Sequence, residues 1–152
     1  MATSEKPLIA VTMGDPSGIG PEVVARALAQ PEVYRLCRPL VVGRCALLER
    51  ETAALALALS VERVEGDLAS CHPSARQAMV WEIGPEGVEA LPRGRVHPQA
   101  GKAALAYVET AARLALNGRV AALATAPINK AALAAAGIED IGHLEILSRI
   151  AG

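Results

Sequence analysis

Two rhythms of apolar and polar positions share this chain. Compact apolar runs of strand length occur at residues 8–13 (LIAVTM), 39–43 (PLVVG), 61–65 (VERVE), 79–83 (MVWEI) and 120–125 (VAALAT). Between them lie stretches whose apolar residues recur at helical spacing: VVARALAQ at 23–30, ALLERETAALALAL at 46–59, KAALAYVETAARLAL at 102–116 and INKAALAAAG at 128–137. A last helical stretch, GHLEILSRIAG, occupies 142–152. Strands alternating with helices predict an α/β fold on a mostly parallel sheet.

The punctuation fits that order. Pro21 suits the first position of a helix, Glu22 stands in its positive first turn, and Pro31 is expected to stop it. Asn117 with Gly118, and later Gly137, are expected to close helices with a left-handed residue. Residues 79–94 hold several Gly and Pro and are the least regular part of the pattern.

Composition narrows the partners. A chain of 152 residues with 52% hydrophobic content and a mean hydropathy of +0.30 supports one domain with a real core. With no Phe, one Trp and two Tyr, that core is built from small and aliphatic residues, and base stacking has almost no platform. A net charge of −1 without a Lys/Arg run removes the electrostatic basis for binding nucleic acid or an anionic membrane. A small molecule is the expected partner. The apolar stretch near the start is too short for a signal sequence or a membrane span. Three cysteines without a CxxC pair suggest neither a zinc site nor a disulfide framework, and a reducing, cytoplasmic setting is expected.

Three loops carry candidate chemistry. GDPSGIGPE, residues 14–22, places glycines, a carboxylate and a hydroxyl between a strand and a helix, where open α/β sheets form their ligand crevice. Its glycines match neither a P-loop nor a GxGxxG fingerprint, and a tight turn explains them equally well. ATAPINK delivers Thr125, Asn129 and Lys130 to the start of a helix, where an ammonium and an amide can hold a phosphate or carboxylate. A solvated Lys and a capping Asn account for the same residues. His143 follows a Gly and lies two residues before Glu145. Taken alone it reads as a surface or packed histidine, as do His72 and His97, each before a proline. No Ser/His/Asp or Cys/His triad is arguable.

In order, MGDPSGIGPEV, HPQAGKAALAYVETAARLALNG, ATAPINKAALAAAGI and GHLEIL resemble the 4-hydroxythreonine-4-phosphate dehydrogenase family, which includes related 4-phospho-threonate dehydrogenases. The resemblance covers nearly the whole chain, more weakly between residues 44 and 94, and implies that residues 1–152 are the N-terminal part of a two-lobed enzyme. It implies a three-layer α/β/α architecture similar to isocitrate and isopropylmalate dehydrogenases, here incomplete. Homodimers are implied, with the active site between the lobes near the dimer interface.

The implied activity is NAD- or NADP-dependent oxidation of 4-phosphooxy-threonine, followed by decarboxylation, in pyridoxal phosphate (vitamin B6) synthesis. A divalent metal, zinc, magnesium or cobalt, makes chemical sense for both steps. His143 matches the first of the family's metal-binding histidines, and the other two are expected beyond residue 152. Asn129 and Lys130 fall on a substrate-contacting pair, often His-Lys in the family. Asp15, Gly18 and Gly20 are candidates for lining the cleft, and no cofactor-binding residue is assigned. Asn129 in place of His, and Leu144 where many members carry Thr, keep related substrates, 4-phospho-threonates or cyclic dihydrodiols, in view. A different class of reading is a catalytically silent binding or dimerisation module.

Overall fold

The computed structural model describes residues 6–140 and 142–152. Its elements run β1 (Leu8–Thr12), α1 (Gly20–Leu28), α2 (Pro31–Leu36), β2 (Arg38–Gly43), α3 (Cys45–Ala54), β3 (Ser60–Val64), β4 (Gln77–Glu82), α4 (Pro98–Leu116), β5 (Ala122–Thr125), α5 (Lys130–Ala135) and α6 (His143–Ala151). Single 3₁₀ turns at Leu68–Ser70 and Val88–Ala90 interrupt the longer connections.

The five strands form one parallel sheet in the order β3-β4-β2-β1-β5. β1 lies between β2, with Leu8 opposite Arg38 and Thr12 opposite Val42, and β5, with Ile9 opposite Ala122 and Thr12 opposite Thr125. Crossovers between parallel strands are right-handed. The steps from β1 to β2 and from β2 to β3 run one way across the sheet, and the step from β4 to β5 runs the other. Right-handedness therefore puts α1, α2 and α3 on one face and α4 on the opposite one. The packing agrees: α1 meets α3, while α4 meets β1, β2 and β5 and carries α5 and α6. The α/β fold expected from the alternation is the one found.

Burial follows strand position. β2, between two neighbours, is buried from Pro39 to Gly43 and anchors the main core with Leu40, Val41 and Val42. Leu47 and Leu48 of α3 and Val24, Ala25 and Leu28 of α1 close over one side, and Ala103, Tyr107, Ala111 and Leu114 of α4 belong to the same core. A smaller cluster, Val108, Leu133 and Ile146, ties α4 to α5 and α6.

Three local expectations are corrected. Among the described residues β5 pairs only with β1, and Ala122, Ala124 and Thr125 are exposed there, so the burial expected of this run is not found within them. Pro31 does more than stop α1: it occupies the first turn of a new short helix, α2, where its missing N–H costs nothing. Finally, α3 ends at Ala54 rather than near residue 59, with Ala56 at φ 51°. The N–H of Leu57 donates to Thr52 O (2.9 Å) and that of Ala56 to Ala53 O (3.1 Å), the paired bonds of a Schellman ending.

Candidate active site

β1 and β5 are neighbours whose chains leave in opposite directions, β1 toward α1 on one face and β5 toward α5 beside α4 on the other. Adjacent strands that part in this way open a crevice at their C-terminal ends. The crevice is walled by the two loops that the sequence singled out.

The first loop follows β1. Gly14 has φ 70°, and a Cβ there would lie 2.3 Å from Pro127 O, so only glycine lets the two loops approach this closely. The contact is also a hydrogen bond, since the Asp15 N–H donates to Pro127 O at 3.0 Å. Gly20 is a second steric requirement, because a Cβ there would meet Met13 O at 2.4 Å. Asp15 is 3% exposed. Its Oδ1 accepts the Ser17 N–H at 2.8 Å, an Asx turn that sets the loop's shape. Its Oδ2 is buried with no partner among the described residues, and the same holds for Ser17 Oγ and Thr12 Oγ1.

A brace that sequence reasoning missed supports this loop from behind. Arg50 Nη2 donates to Pro16 O (3.3 Å) and, at 2.7 Å, to Glu51 Oε1, which also accepts from Arg93 Nη2 (2.7 Å). The neighbouring Gly94 N–H donates to Ser17 O at 2.7 Å. Glu51 is only 2% exposed, and three guanidinium hydrogen bonds are what make such burial tolerable. The irregular segment before α4 is thereby locked to the β1 loop. One signal was present: position 51 falls on the same helical face as buried Leu47 and Leu48, an odd place for a carboxylate without a partner.

The second loop, Ala126 to Asn129, leads into α5. Asn129 Oδ1 caps that helix, accepting from the N–H groups of Ala131 (3.0 Å) and Ala132 (3.3 Å). Its amide nitrogen stays available. Lys130 opens the helix and is exposed, and its ammonium makes no hydrogen bond or ion pair among the described residues. α5 is held against α4 at backbone distance, because a Cβ on Gly101 would lie 2.2 Å from Ala132 O.

The third contributor is the start of α6. His143 is its first residue, and its Nε2 is buried without a partner among the described residues. Ile146, fully buried, anchors the helix, and Arg149 fastens it through Glu109 (2.8 Å) and Asp140 (2.5 Å).

These pieces line two adjoining cavities. One of about 450 Å³ is bounded by Pro127, Ile128, Lys130, Gly142, His143, Leu144 and Glu145. The other, about 320 Å³, is bounded by Asp15, Gly18, Ile19, Pro127, Ile128, Asn129 and Lys130. Lys130 belongs to both, so the structure gathers Asp15, Gly18, Asn129, Lys130 and His143 around one crevice. Gly20 shapes the loop underneath, and Thr125 ends β5 without lining either cavity. His72 is exposed in a connection, and His97 caps α4, its Nδ1 accepting the Gln99 N–H at 3.2 Å. Among the described residues no three His, Cys, Asp or Glu side chains gather as a metal site. Nor is any helix among them long and apolar enough to cross a membrane.

Comparison with known proteins bears on the same crevice. The chain is 42% identical over 148 residues to a 4-hydroxythreonine-4-phosphate dehydrogenase of Geobacter metallireducens, covering 97% of this chain and 43% of that protein. It is 37% identical over 147 residues to a D-threonate 4-phosphate dehydrogenase of Cupriavidus necator, covering 96% of this chain and 43% of the relative. The crystal structure of a 4-hydroxythreonine-4-phosphate dehydrogenase from Burkholderia phymatum superposes with a TM-score of 0.88 at 37% identity, over 97% of this chain and 44% of that one. The chain thus spans less than half the length of the relatives it matches. Residues 35–152 match the family described as pyridoxal phosphate biosynthetic protein PdxA, and the chain belongs to that family.

Proposed function

We propose that the protein, in its longer natural form, is an NAD- or NADP-dependent dehydrogenase that oxidises 4-phosphooxy-threonine for pyridoxal phosphate synthesis. The observation that carries this reading is the placement of Lys130 and His143 on one cavity of about 450 Å³ at the C-terminal ends of β1 and β5, with His143 Nε2 buried and without a partner among the described residues. The family supports the reaction class, since its members compared above are named dehydrogenases of phosphorylated four-carbon acids.

In this reading Lys130 holds the substrate's phosphate or carboxylate. Its ammonium has no intramolecular partner among the described residues, so nothing must be broken before an anion binds. Asn129 uses its oxygen on the helix cap and keeps its NH₂ for the same ligand. Gly14 and the Asp15-to-Pro127 bond fix the spacing of the two loops, so the substrate meets preset walls.

An unpartnered, buried imidazole nitrogen suits a metal ligand, and His143 would hold a divalent ion, zinc, magnesium or cobalt, as one of several ligands. When bound, such an ion with a nicotinamide cofactor supplies Lewis-acid stabilisation of developing negative charge and a hydride acceptor. Oxidation of the secondary alcohol gives a β-keto acid, which loses carbon dioxide to leave an aminoketone phosphate. The remaining metal ligands and the cofactor contacts belong, in this proposal, to the rest of a two-lobed, cytoplasmic homodimer. Asn129 in place of the family's usual His, Leu144 exposed in the cavity, and the Cupriavidus relative favour threonate 4-phosphate as the second reading.

The test uses protein purified from its native gene, supplied with a divalent metal and NAD or NADP. Formation of the reduced cofactor with 4-phosphooxy-threonine, abolished by a chelator, is the expected result. Reduction with threonate 4-phosphate alone would establish the second reading, and reduction with neither would overturn both. The 152-residue chain by itself is expected to show no turnover, because His143 is a single ligand.

A further inference from the structure

We infer that Arg149 is a positioning residue for His143: it fixes the angle at which helix α6 presents the imidazole, and so sets how tightly that histidine holds a metal. The inference rests on the metal-binding reading of His143 above and goes beyond it by assigning what aims the ligand.

His143, Ile146 and Arg149 follow one another at three-residue intervals along one flank of α6. Ile146 is fully buried with Val108 of α4 and Leu133 of α5. At the helical rise per residue, His143 and Arg149 stand about 4.5 Å along the axis on either side of that contact. The helix is therefore a short lever pivoting at Ile146. A tilt that lifts the Arg149 end by about 1 Å swings the His143 end by a similar amount, and a metal site tolerates displacements of only about 0.5 Å.

Among the described residues little else steadies the His143 end. Gly142, the N-cap residue, has no side chain to close the first turn, and Leu144 and Glu145 are exposed. The Arg149 end is tied in two directions. Its Nη2 donates to Glu109 Oε1 of α4 at 2.8 Å, and its Nε donates to Asp140 Oδ2 at 2.5 Å. The first bond opposes rolling of α6 on α4. The second pins the chain three residues ahead of His143 to the far end of the same helix. A planar guanidinium engaged on two edges fixes both carboxylates at once. All three side chains are partly solvated, so the pairs contribute little to stability. Their effect is on geometry.

Arg149→Met keeps the aliphatic stem and removes the fork. Protein from the native gene is freed of metal with a chelator and titrated with Co²⁺, without substrate or cofactor, while the visible absorption of the bound ion is followed. The variant should bind Co²⁺ about 10-fold more weakly than wild type. The melting temperature of the metal-free protein should stay within about two degrees. The direction is diagnostic, because loss of a nearby positive charge would by itself strengthen the binding of a cation. Arg149→Lys, a point charge that cannot bridge both carboxylates, should fall between the two, about threefold weaker than wild type.

Co²⁺ affinity equal to or above that of wild type in Arg149→Met would overturn the inference. Full wild-type affinity in Arg149→Lys would do the same, and decides alone if the Met variant does not fold. Loss of affinity that comes only with a melting point several degrees lower in both variants would make Arg149 a structural residue and also overturn it. His143→Ala separates this inference from the reading beneath it. Loss of Co²⁺ binding there beside unchanged Arg149 variants removes only the positioning role, whereas unchanged binding in His143→Ala removes His143 as a ligand and the inference with it.

Discussion

At the scale of single residues, Lys130 and Asn129 divide two tasks that the sequence could not separate. Both were candidates for ligand contact, and a capping Asn beside a solvated Lys was the plain alternative. The structure gives Asn129 the cap and leaves Lys130 on the crevice without a partner among the described residues. Truncating the two should therefore have different consequences. Lys130→Ala removes a cation that supports no other described residue, so KM for the phosphorylated substrate should rise about 10-fold or more while the melting temperature stays within a degree or two. Steady-state kinetics beside a thermal melt checks this, and an unchanged KM and kcat would remove Lys130 from the substrate's grip. The site was legible as residues but not as geometry. Sequence placed Asp15 on a loop and Asn129, Lys130 and His143 at helix starts, yet that Gly14 brings the loops within a backbone hydrogen bond depends on the β1-to-β5 pairing, which no local pattern contains. The brace of Arg50, Glu51 and Arg93 was hidden for the same reason, since its members are 42 positions apart in sequence for Arg93 and Glu51.

At the scale of elements, the helix ends show why some boundaries were readable and one was not. α4, α5 and α3 all end in the same way, with a left-handed residue and paired return bonds. After α4, Gly118 N–H reaches Ala115 O (3.0 Å) and Arg119 N–H reaches Leu114 O (2.9 Å); after α5, Gly137 and Ile138 repeat the pattern onto Ala134 and Leu133. Both stops were legible because glycine marks them. The third has Ala56 at φ 51°, and an Ala inside an Ala/Leu run carries no stop signal. The helix was therefore expected to continue to Leu59, whereas that stretch descends to place Leu59 in the core and start β3. A left-handed Ala costs about 1–2 kcal/mol relative to glycine. Ala56 is exposed and buries nothing, so Ala56→Gly should stabilise the protein by roughly 1 kcal/mol, less what glycine adds to the entropy of the unfolded chain. Chemical denaturation should show a higher midpoint at unchanged slope. A lower midpoint would mean that the unfolded-state cost exceeds the relief of the turn.

At the scale of the whole molecule, the parallel order was readable from alternation, whereas the exposure of β5 among the described residues was not, because burial of a strand depends on neighbours that its own residues do not encode. The same global packing sets how the protein responds to alkali. Of its cysteines and tyrosines, Cys71 and Tyr107 lie in the core, Cys45 packs against it, and Cys37 and Tyr34 are half-buried at α2, and burial pushes each in one direction. Burial raises the Cys45 thiol to about 11, helped by the nearby Glu82 and Glu49 carboxylates, and raises Cys37 and Cys71 as well. It also raises the Tyr34 hydroxyl, which donates to Leu28 O at 2.8 Å, to about 12, and pushes Tyr107 up in the same sense. In the unfolded chain the thiols ionise from about pH 8.5, whereas the folded protein keeps them protonated. The folded state then binds more protons than the unfolded one, so stability falls as pH rises. The contribution is fully present below the ordinary thiol range and is lost progressively as pH climbs through 9 toward 11, with the tyrosines extending the loss above 10. The melting temperature, followed by calorimetry under reducing conditions, should hold level through neutral pH and drop steadily above pH 9. Cys45→Ala should flatten the first part of that drop, since it removes a titrating group whose neutral form the fold requires, and a drop of the same slope in this variant would show that Cys45 does not drive it.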